Sequence, residues 1–203
     1  MHDAPVIVSE GRAFDVDLRY LGRKLDERLE DATLKAIQLA LREEQGSLLV
    51  FLPGQAEIQR VANKLKDLSL KNIDIAPLYG ALDRQAQEWA ISAAEPGRRK
   101  ITLSTSIAET SLTIQGVRIV IDCGLSRVQH YEPDLGLTRL ETIRAARSSV
   151  DQRAGRAGRT EPGVCYRLWD EPQTHALTPF AKAEILAADL SNLVLDLSAW
   201  GVT

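Results

Sequence analysis

Leu48-Leu49-Val50-Phe51-Leu52-Pro53-Gly54 sets five consecutive apolar residues in front of a Pro-Gly break. A short apolar run of this length fits a strand buried on both faces, which is how strands of a parallel sheet read. A helical pattern continues to about Leu68, and the unit then recurs. Residues 73–78 read as a strand and 83–93 as a helix; 101–104 as a strand followed by a short helical turn; 117–121 as another strand. Alternation at this spacing predicts an α/β fold, a three-layer arrangement with a parallel sheet between helices on both faces.

Upstream, residues 14–21 alternate, with Phe14, Val16, Leu18 and Tyr20 on one side, the pattern of a half-buried edge strand. Residues 26–44 repeat apolar side chains at helical spacing (Leu29, Ala32, Thr33, Ala36, Ile37, Ala40, Leu41) and stop before Gly46. Residues 126–145 break the rhythm. Val128, His130, Leu137, Leu140 and Ile143 flank Pro133-Asp134-Leu135-Gly136, which predicts a projecting β-hairpin over about 127–143. His130 reads as a packing or solvent-facing hairpin residue. Ser148 or Ser149 would cap a helix running into the downstream arginines. Residues 164–168 close the sheet, and 178–197 read as a terminal helix. The expected organisation is an entering linker and edge strand over 1–25, the α/β domain over 26–177, and over 178–203 a terminal helix leading to a further domain.

The bulk numbers fit one sizeable domain: 203 residues, 44% hydrophobic, 26% charged, net charge -3. An acidic balance argues against a general basic surface for nucleic acid. The charge is uneven, however. Residues 139–159 hold six arginines (139, 144, 147, 153, 156, 159) against two acids, Glu141 and Asp151. A basic stretch in an acidic chain points to one anion site. Cys123 and Cys165 lie in apolar runs without metal-ligand or disulfide spacing, and read as reduced core thiols. No signal peptide and no membrane span is legible, so the cytoplasm and no membrane partner are expected.

The most specific signal is Gln152-Arg153-Ala154-Gly155-Arg156-Ala157-Gly158-Arg159. If helical throughout, Arg153, Arg156 and Arg159 would share one broad face. Guanidinium groups pair with phosphate oxygens and can neutralise charge developing on a departing γ-phosphoryl group. Gly155 and Gly158 each weaken a helix by about 1 kcal/mol relative to alanine. Close approach of the backbone to a ligand or another domain would explain them.

This run resembles motif VI of superfamily 2 helicases. The stretch from Ser104 to Gly116 resembles motif V of their DEAH/RHA branch, residues 48–58 resemble motif IV, and Pro77-Leu78-Tyr79-Gly80-Ala81-Leu82 resembles motif IVa. The motifs stand in family order, and the whole is most similar to bacterial HrpB-type helicases. The resemblance implies a RecA-like fold, of the P-loop NTPase type, and the second motor domain of an ATP-dependent RNA helicase. It implies that Gln152 holds the attacking water or a γ-phosphate oxygen, that Arg156 and Arg159 are arginine fingers, and that Thr113, Gln115, Ile91 and Arg153 face the ATP. It further implies that Gly54, Gln55, Gly80, Thr105 and Ser106 grip a single-stranded RNA backbone, alone or at a duplex overhang, and that the hairpin separates strands. Open α/β sheets bind ligands beyond the carboxyl ends of their strands, where all these sites are expected. The chain departs from the family at Ser106, where Asn is common, at Gln115, where Asp is common, and at Ile91, where an aromatic residue often stacks on the base.

No Gly-x-x-x-x-Gly-Lys-Ser/Thr and no Asp-Glu-x-His occurs in the 203 residues. The phosphate cradle and the Mg²⁺ ligands would therefore come from a first RecA-like domain of the same polypeptide, and no metal is expected on this part. The sequence reads as an excised segment of a longer motor, inactive alone. Two other readings stay open: a DNA-acting or dual-specificity helicase domain, and a non-catalytic nucleic-acid-binding module of the same fold.

Overall fold

The computed structural model describes residues 14–109 and 112–201. Residues 1–13 of the expected entering linker, Thr110-Ser111 of the motif V run, and Val202-Thr203 lie outside the described residues. In chain order the elements are β1 (Val16–Tyr20), α1 (Leu29–Glu43), β2 (Ser47–Phe51), α2 (Gln55–Asp67), β3 (Ile73–Leu78), α3 (Arg84–Ile91), β4 (Arg99–Ser104), β5 (Val117–Asp122), β6 (Leu125–Glu132), β7 (Leu137–Arg144), α4 (Arg147–Ala154), β8 (Gly163–Arg167) and α5 (Ser191–Ala199). Six strands form one sheet in the order β1-β8-β5-β2-β4-β3. Every pair within it is parallel. β6 and β7 form a separate antiparallel hairpin.

Alternate side chains of the apolar run go to opposite faces, as the two-residue period of a strand requires. Leu48, Val50 and Leu52 pack with α1 and α2 through Ile37, Ala40, Ile58 and Leu65. Leu49 and Phe51 pack on the other face with Ala90 of α3 and Ala154 of α4. Both faces are covered, so the parallel three-layer α/β expectation holds. Cys123 and Cys165 are free and buried within these two cores. Burial, with the charge of Asp122, pushes the Cys123 thiol up to about 12.

Two expectations fail for one physical reason. Neither Ser148 nor Ser149 caps α4, which is preceded by Ala146 in extended conformation. Its first amides are satisfied by chain far downstream: Arg147 N donates to Thr178 O (2.8 Å) and Ser148 N to Pro179 O (3.1 Å). Orphan amides at a helix start need some acceptor, and here two backbone carbonyls serve. Because Thr178 and Pro179 are engaged in that cap, no helix begins there. The expected helix over 178–197 is instead a 3-10 turn at Glu184–Leu186 and the later α5.

Candidate functional site

Three loops leave neighbouring strands β2, β4 and β3 at one level. Phe51 is in register with Ser104, and Ser104 with Leu78; Leu52 N donates to Ser104 O at 2.8 Å. The residues just beyond are Gly54-Gln55, Thr105-Ser106 and Gly80, side by side at the carboxyl edge of the sheet. Gln55, Gly80 and Ser106 are exposed, Thr105 is half-buried and Gly54 is buried. No side chain caps α2 at Gly54, and the first amides of a helix are the groups that an acceptor from elsewhere would satisfy. Around Gly80 a Cβ would meet nothing within 4 Å, so its backbone lies open.

Four of the nucleotide-facing candidates, Ile91, Thr113, Gln115 and Arg159, gather elsewhere, and for these the expectation that every site lies beyond strand carboxyl ends is corrected. Residues 105–109 and 112–116 lie along the α3/α4 face of the sheet, and the second stretch reaches its amino-terminal edge, where Gly116 O accepts from Ser47 N at the start of β2. Gln115 N donates to Ile91 O (3.1 Å), which joins two of the candidates. Arg159 is exposed and donates from Nη1 to Thr113 Oγ1 at 3.2 Å, which joins two more. Just before Arg159, Gly158 O accepts from Phe14 N (2.9 Å), ahead of β1. These four candidates and the strand-gripping candidates thus lie toward different edges of one sheet.

The motif VI run is not one helix. α4 ends at Ala154 with Gly155 as its cap, and Arg156 and Ala157 continue in tight turns, their amides bonded to Arg153 O and Ala154 O. The three arginines therefore do not share a helical face. Arg156 is buried. It donates from Nε to Glu109 O (2.8 Å) and from Nη1 to Leu112 O (2.6 Å), while its Nη2 is buried without a partner among the described residues. Burial holds this guanidinium below its ordinary value, and the positive charge of Arg159 adds to that. An unpaired buried donor is costly and suits an incoming anion. Gln152 stands exposed on α4.

Arg153 requires a correction. Its five N–H groups are all used inside the protein. Nε and Nη2 donate to Glu109 Oε1 (2.8 and 2.6 Å), Nη1 to Asp122 Oδ1 (2.9 Å) and Leu125 O (3.1 Å), and Nη2 also to Ser126 Oγ (2.7 Å). The guanidinium lies 5.1 Å over the Phe51 ring and is 1% exposed. Burial pulls its pKa down, but the charges of Asp122 and Glu109 outweigh that and the net shift is upward. With no donor left for a phosphate, Arg153 is a positioning residue that ties α4 to β5, to the segment after β4 and to the first residues of the hairpin.

Asp122 and Glu109 were not among the sequence candidates. A signal existed for Asp122: a lone carboxylate closing the apolar run Val117–Asp122 must find a buried cation. Nothing local marks Glu109. The glycines resolve as well. A Cβ on Gly158 would strike the Phe14 carbonyl oxygen, whereas one on Gly155 would make ordinary contacts at 3.5 and 3.6 Å. The close approach at Gly158 is thus to the edge strand of the same domain. His130 is exposed on the hairpin. Among the described residues no three His, Cys, Asp or Glu side chains converge as metal ligands.

Against known families, residues 29–161 match the helicase conserved C-terminal domain. The ATP-dependent RNA helicase HrpB of Escherichia coli K12 is 48% identical over 199 residues, covering 98% of this chain and 25% of that protein. The human probable ATP-dependent RNA helicase DHX34 is 38% identical over 213 residues, covering 98% of this chain and 19% of that protein. The crystal structure of the Escherichia coli DEAH/RHA helicase HrpB superposes with a TM-score of 0.91 at 48% identity, over 98% of this chain and 25% of that one. The chain spans a quarter or less of the length of these relatives. The sheet and its two helical layers are those of the RecA-like fold, to which the hairpin is added.

Proposed function

The chain belongs to the helicase conserved C-terminal domain family, in its DEAH/RHA branch, and from that premise we propose that it is the second motor domain of an ATP-dependent RNA helicase. The observation that supports this best is the division of labour between two edges. Arg159 with Thr113, Arg156, and Gln115 with Ile91 lie toward one edge; Gly54-Gln55, Gly80 and Thr105-Ser106 line the other. Thr105-Ser106 of one set and Thr113 and Gln115 of the other are joined by a few residues of chain, so a shift on the nucleotide side moves the grip on the strand.

ATP held on a first RecA-like domain supplies the phosphoanhydride whose cleavage drives the cycle, with Mg²⁺ bound mainly there. Arg159, on an exposed stem, reaches outward and neutralises charge on the phosphates. Arg156, oriented by two backbone carbonyls, keeps Nη2 as a donor for a phosphate oxygen once that buried atom is uncovered. Gln152 orients a water or a phosphate oxygen. At the opposite edge, amides, hydroxyls and an open glycine hold phosphate and sugar without reading bases. The hairpin stands as the strand-separating wedge. Without a cradle of its own, the 203-residue chain turns over ATP negligibly.

Kinetics of the full-length protein test the reading. Replacing Arg159 with alanine should cut RNA-stimulated ATP hydrolysis by roughly 10³-fold and leave single-strand binding nearly intact. Hydrolysis that survives Arg159→Ala would sink the finger assignment. Matched RNA and DNA duplexes, with overhangs of either polarity, decide the nucleic acid: unwinding of DNA alone would overturn the RNA reading.

A further inference from the structure

Arg127 stands at the base of the hairpin, on β6 opposite Thr142. Its guanidinium turns away from the hairpin tip toward the first turn of α2. Nη2 lies 3.4 Å from Glu57 Oε1, and Nε and Nη2 lie 3.3 and 3.2 Å from Thr142 Oγ1. The guanidinium passes directly over Gly54: a Cβ there would be 2.5 Å from Arg127 Nη1 and 3.0 Å from Glu57 Oε2. Glu57 is mostly buried, its Oε1 already accepts from Arg60 Nη2 (2.9 Å), and its Oε2 is buried without a partner among the described residues. That oxygen leaves room for a second N–H from Arg127, the two-bond fork that arginine favours.

We propose that Arg127 and Glu57 form a strut that sets the angle of the hairpin against the α2 turn carrying Gly54 and Gln55, so that wedge and strand grip move as one body. Both are positioning residues, and the strut crosses the open face of Gly54. The inference rests on the helicase reading above. Its physical basis is leverage. β7 is exposed along its whole length, and the side-chain ties between hairpin and body found among the described residues are at its base, from Arg153 to Leu125 and Ser126 and from Arg127 to Glu57. Further out, Tyr131 N donates to Ala187 O (3.0 Å). A strand of eight residues is a lever of roughly 26 Å, so small play at the base becomes large play at the tip.

The test uses the full-length protein with Arg127→Ala, Arg127→Lys, Glu57→Gln and the double variant Arg127→Ala/Glu57→Gln. The strut requires that Arg127→Ala and Glu57→Gln each lower base pairs opened per ATP hydrolysed by roughly tenfold. RNA-stimulated hydrolysis and single-strand affinity should stay within about twofold, Arg127→Lys should recover part of the loss, and the double variant should be no worse than the poorer single one. If Arg127→Ala weakens single-strand RNA binding while Glu57→Gln strengthens it or leaves it alone, Arg127 is a phosphate contact and the strut is wrong. A spin-label distance between Leu135→Cys and Lys66→Cys reads the hairpin without any unwinding. A distribution that fails to broaden in Arg127→Ala overturns the strut even if the wild type opens no duplex, and a wild type that opens none, with broadening present, overturns only the helicase reading.

Discussion

The Arg153 guanidinium meets the Asp122 carboxylate at 2.9 Å, with side-chain exposures of 1% and 0%. The two residues are 31 positions apart and close the end of β5 against α4. Asp122 Oδ1 also accepts from Gly124 N at 2.8 Å, so the same carboxylate shapes the turn into the hairpin. The motif VI turns that carry Arg156 and Arg159 are thus set by a buried ion pair upstream of them.

Breaking that pair leaves a charge buried without its partner. Arg153→Ala and Asp122→Ala should each destabilise this chain by about 3–5 kcal/mol, read as a shift of the urea midpoint at unchanged slope. Asp122→Asn, which keeps an acceptor, should cost less. Loss of under about 1 kcal/mol in Arg153→Ala would mean that its charge is solvated after all, and would return Arg153 to the ligand-facing set.

The two motif VI glycines should respond oppositely. Gly158→Ala drives a Cβ into the Phe14 carbonyl oxygen and to 2.8 Å from Val16 Cγ2, which pushes β1 off the sheet edge. A cost of about 1–3 kcal/mol is expected. Gly155→Ala finds ordinary contacts at a helix end and should be neutral or stabilise by up to about 1 kcal/mol. Thermal unfolding of the two variants checks the contrast; equal effects would mean that the backbone approach at Phe14 is not what demands glycine.

The two thiols predict an alkaline weakness. Burial, then the charge of Asp122, raises Cys123 to about 12 from an ordinary value of 9.0, and Cys165 is raised by the same causes in the same order. Because the folded value lies above the unfolded one, their contribution is complete below the unfolded value and is lost as pH rises toward the folded value. Between pH 9.0 and about 12 the loss is about 1.4 kcal/mol per pH unit per thiol. At pH 8 neither native thiol should take iodoacetamide within hours, whereas the urea-unfolded chain should take two. Mass spectrometry reads both, and rapid native alkylation would contradict the burial.

Elements were legible where their cause is local. The Leu48–Leu52 stretch announces a buried strand, the alternation at Phe14–Tyr20 an edge strand and Pro133–Gly136 a reversal over a few residues, although Phe14 and Leu18 stay exposed at that edge. The start of α4 was not legible, because its cap comes from Thr178 and Pro179. The extent of the motif VI helix was hidden for a related reason. Spacing by three suggests a helix, but Gly155 ends it, and the turns beyond are shaped by Glu109, Leu112 and Phe14.

By itself the sequence determined the parallel α/β sheet, the hairpin and the short list of residues whose chemistry suits phosphate. Those come from apolar periodicity and from side-chain chemistry, which are properties of short stretches. Only the tertiary structure decided that Arg153 is consumed inside the protein while Arg159 stays exposed, and that Ile91, Thr113, Gln115 and Arg159 lie toward a different edge from the strand candidates. Which way a guanidinium turns depends on where the nearest buried carboxylate falls, and Asp122 comes to Arg153 only when β5 and α4 pack against each other.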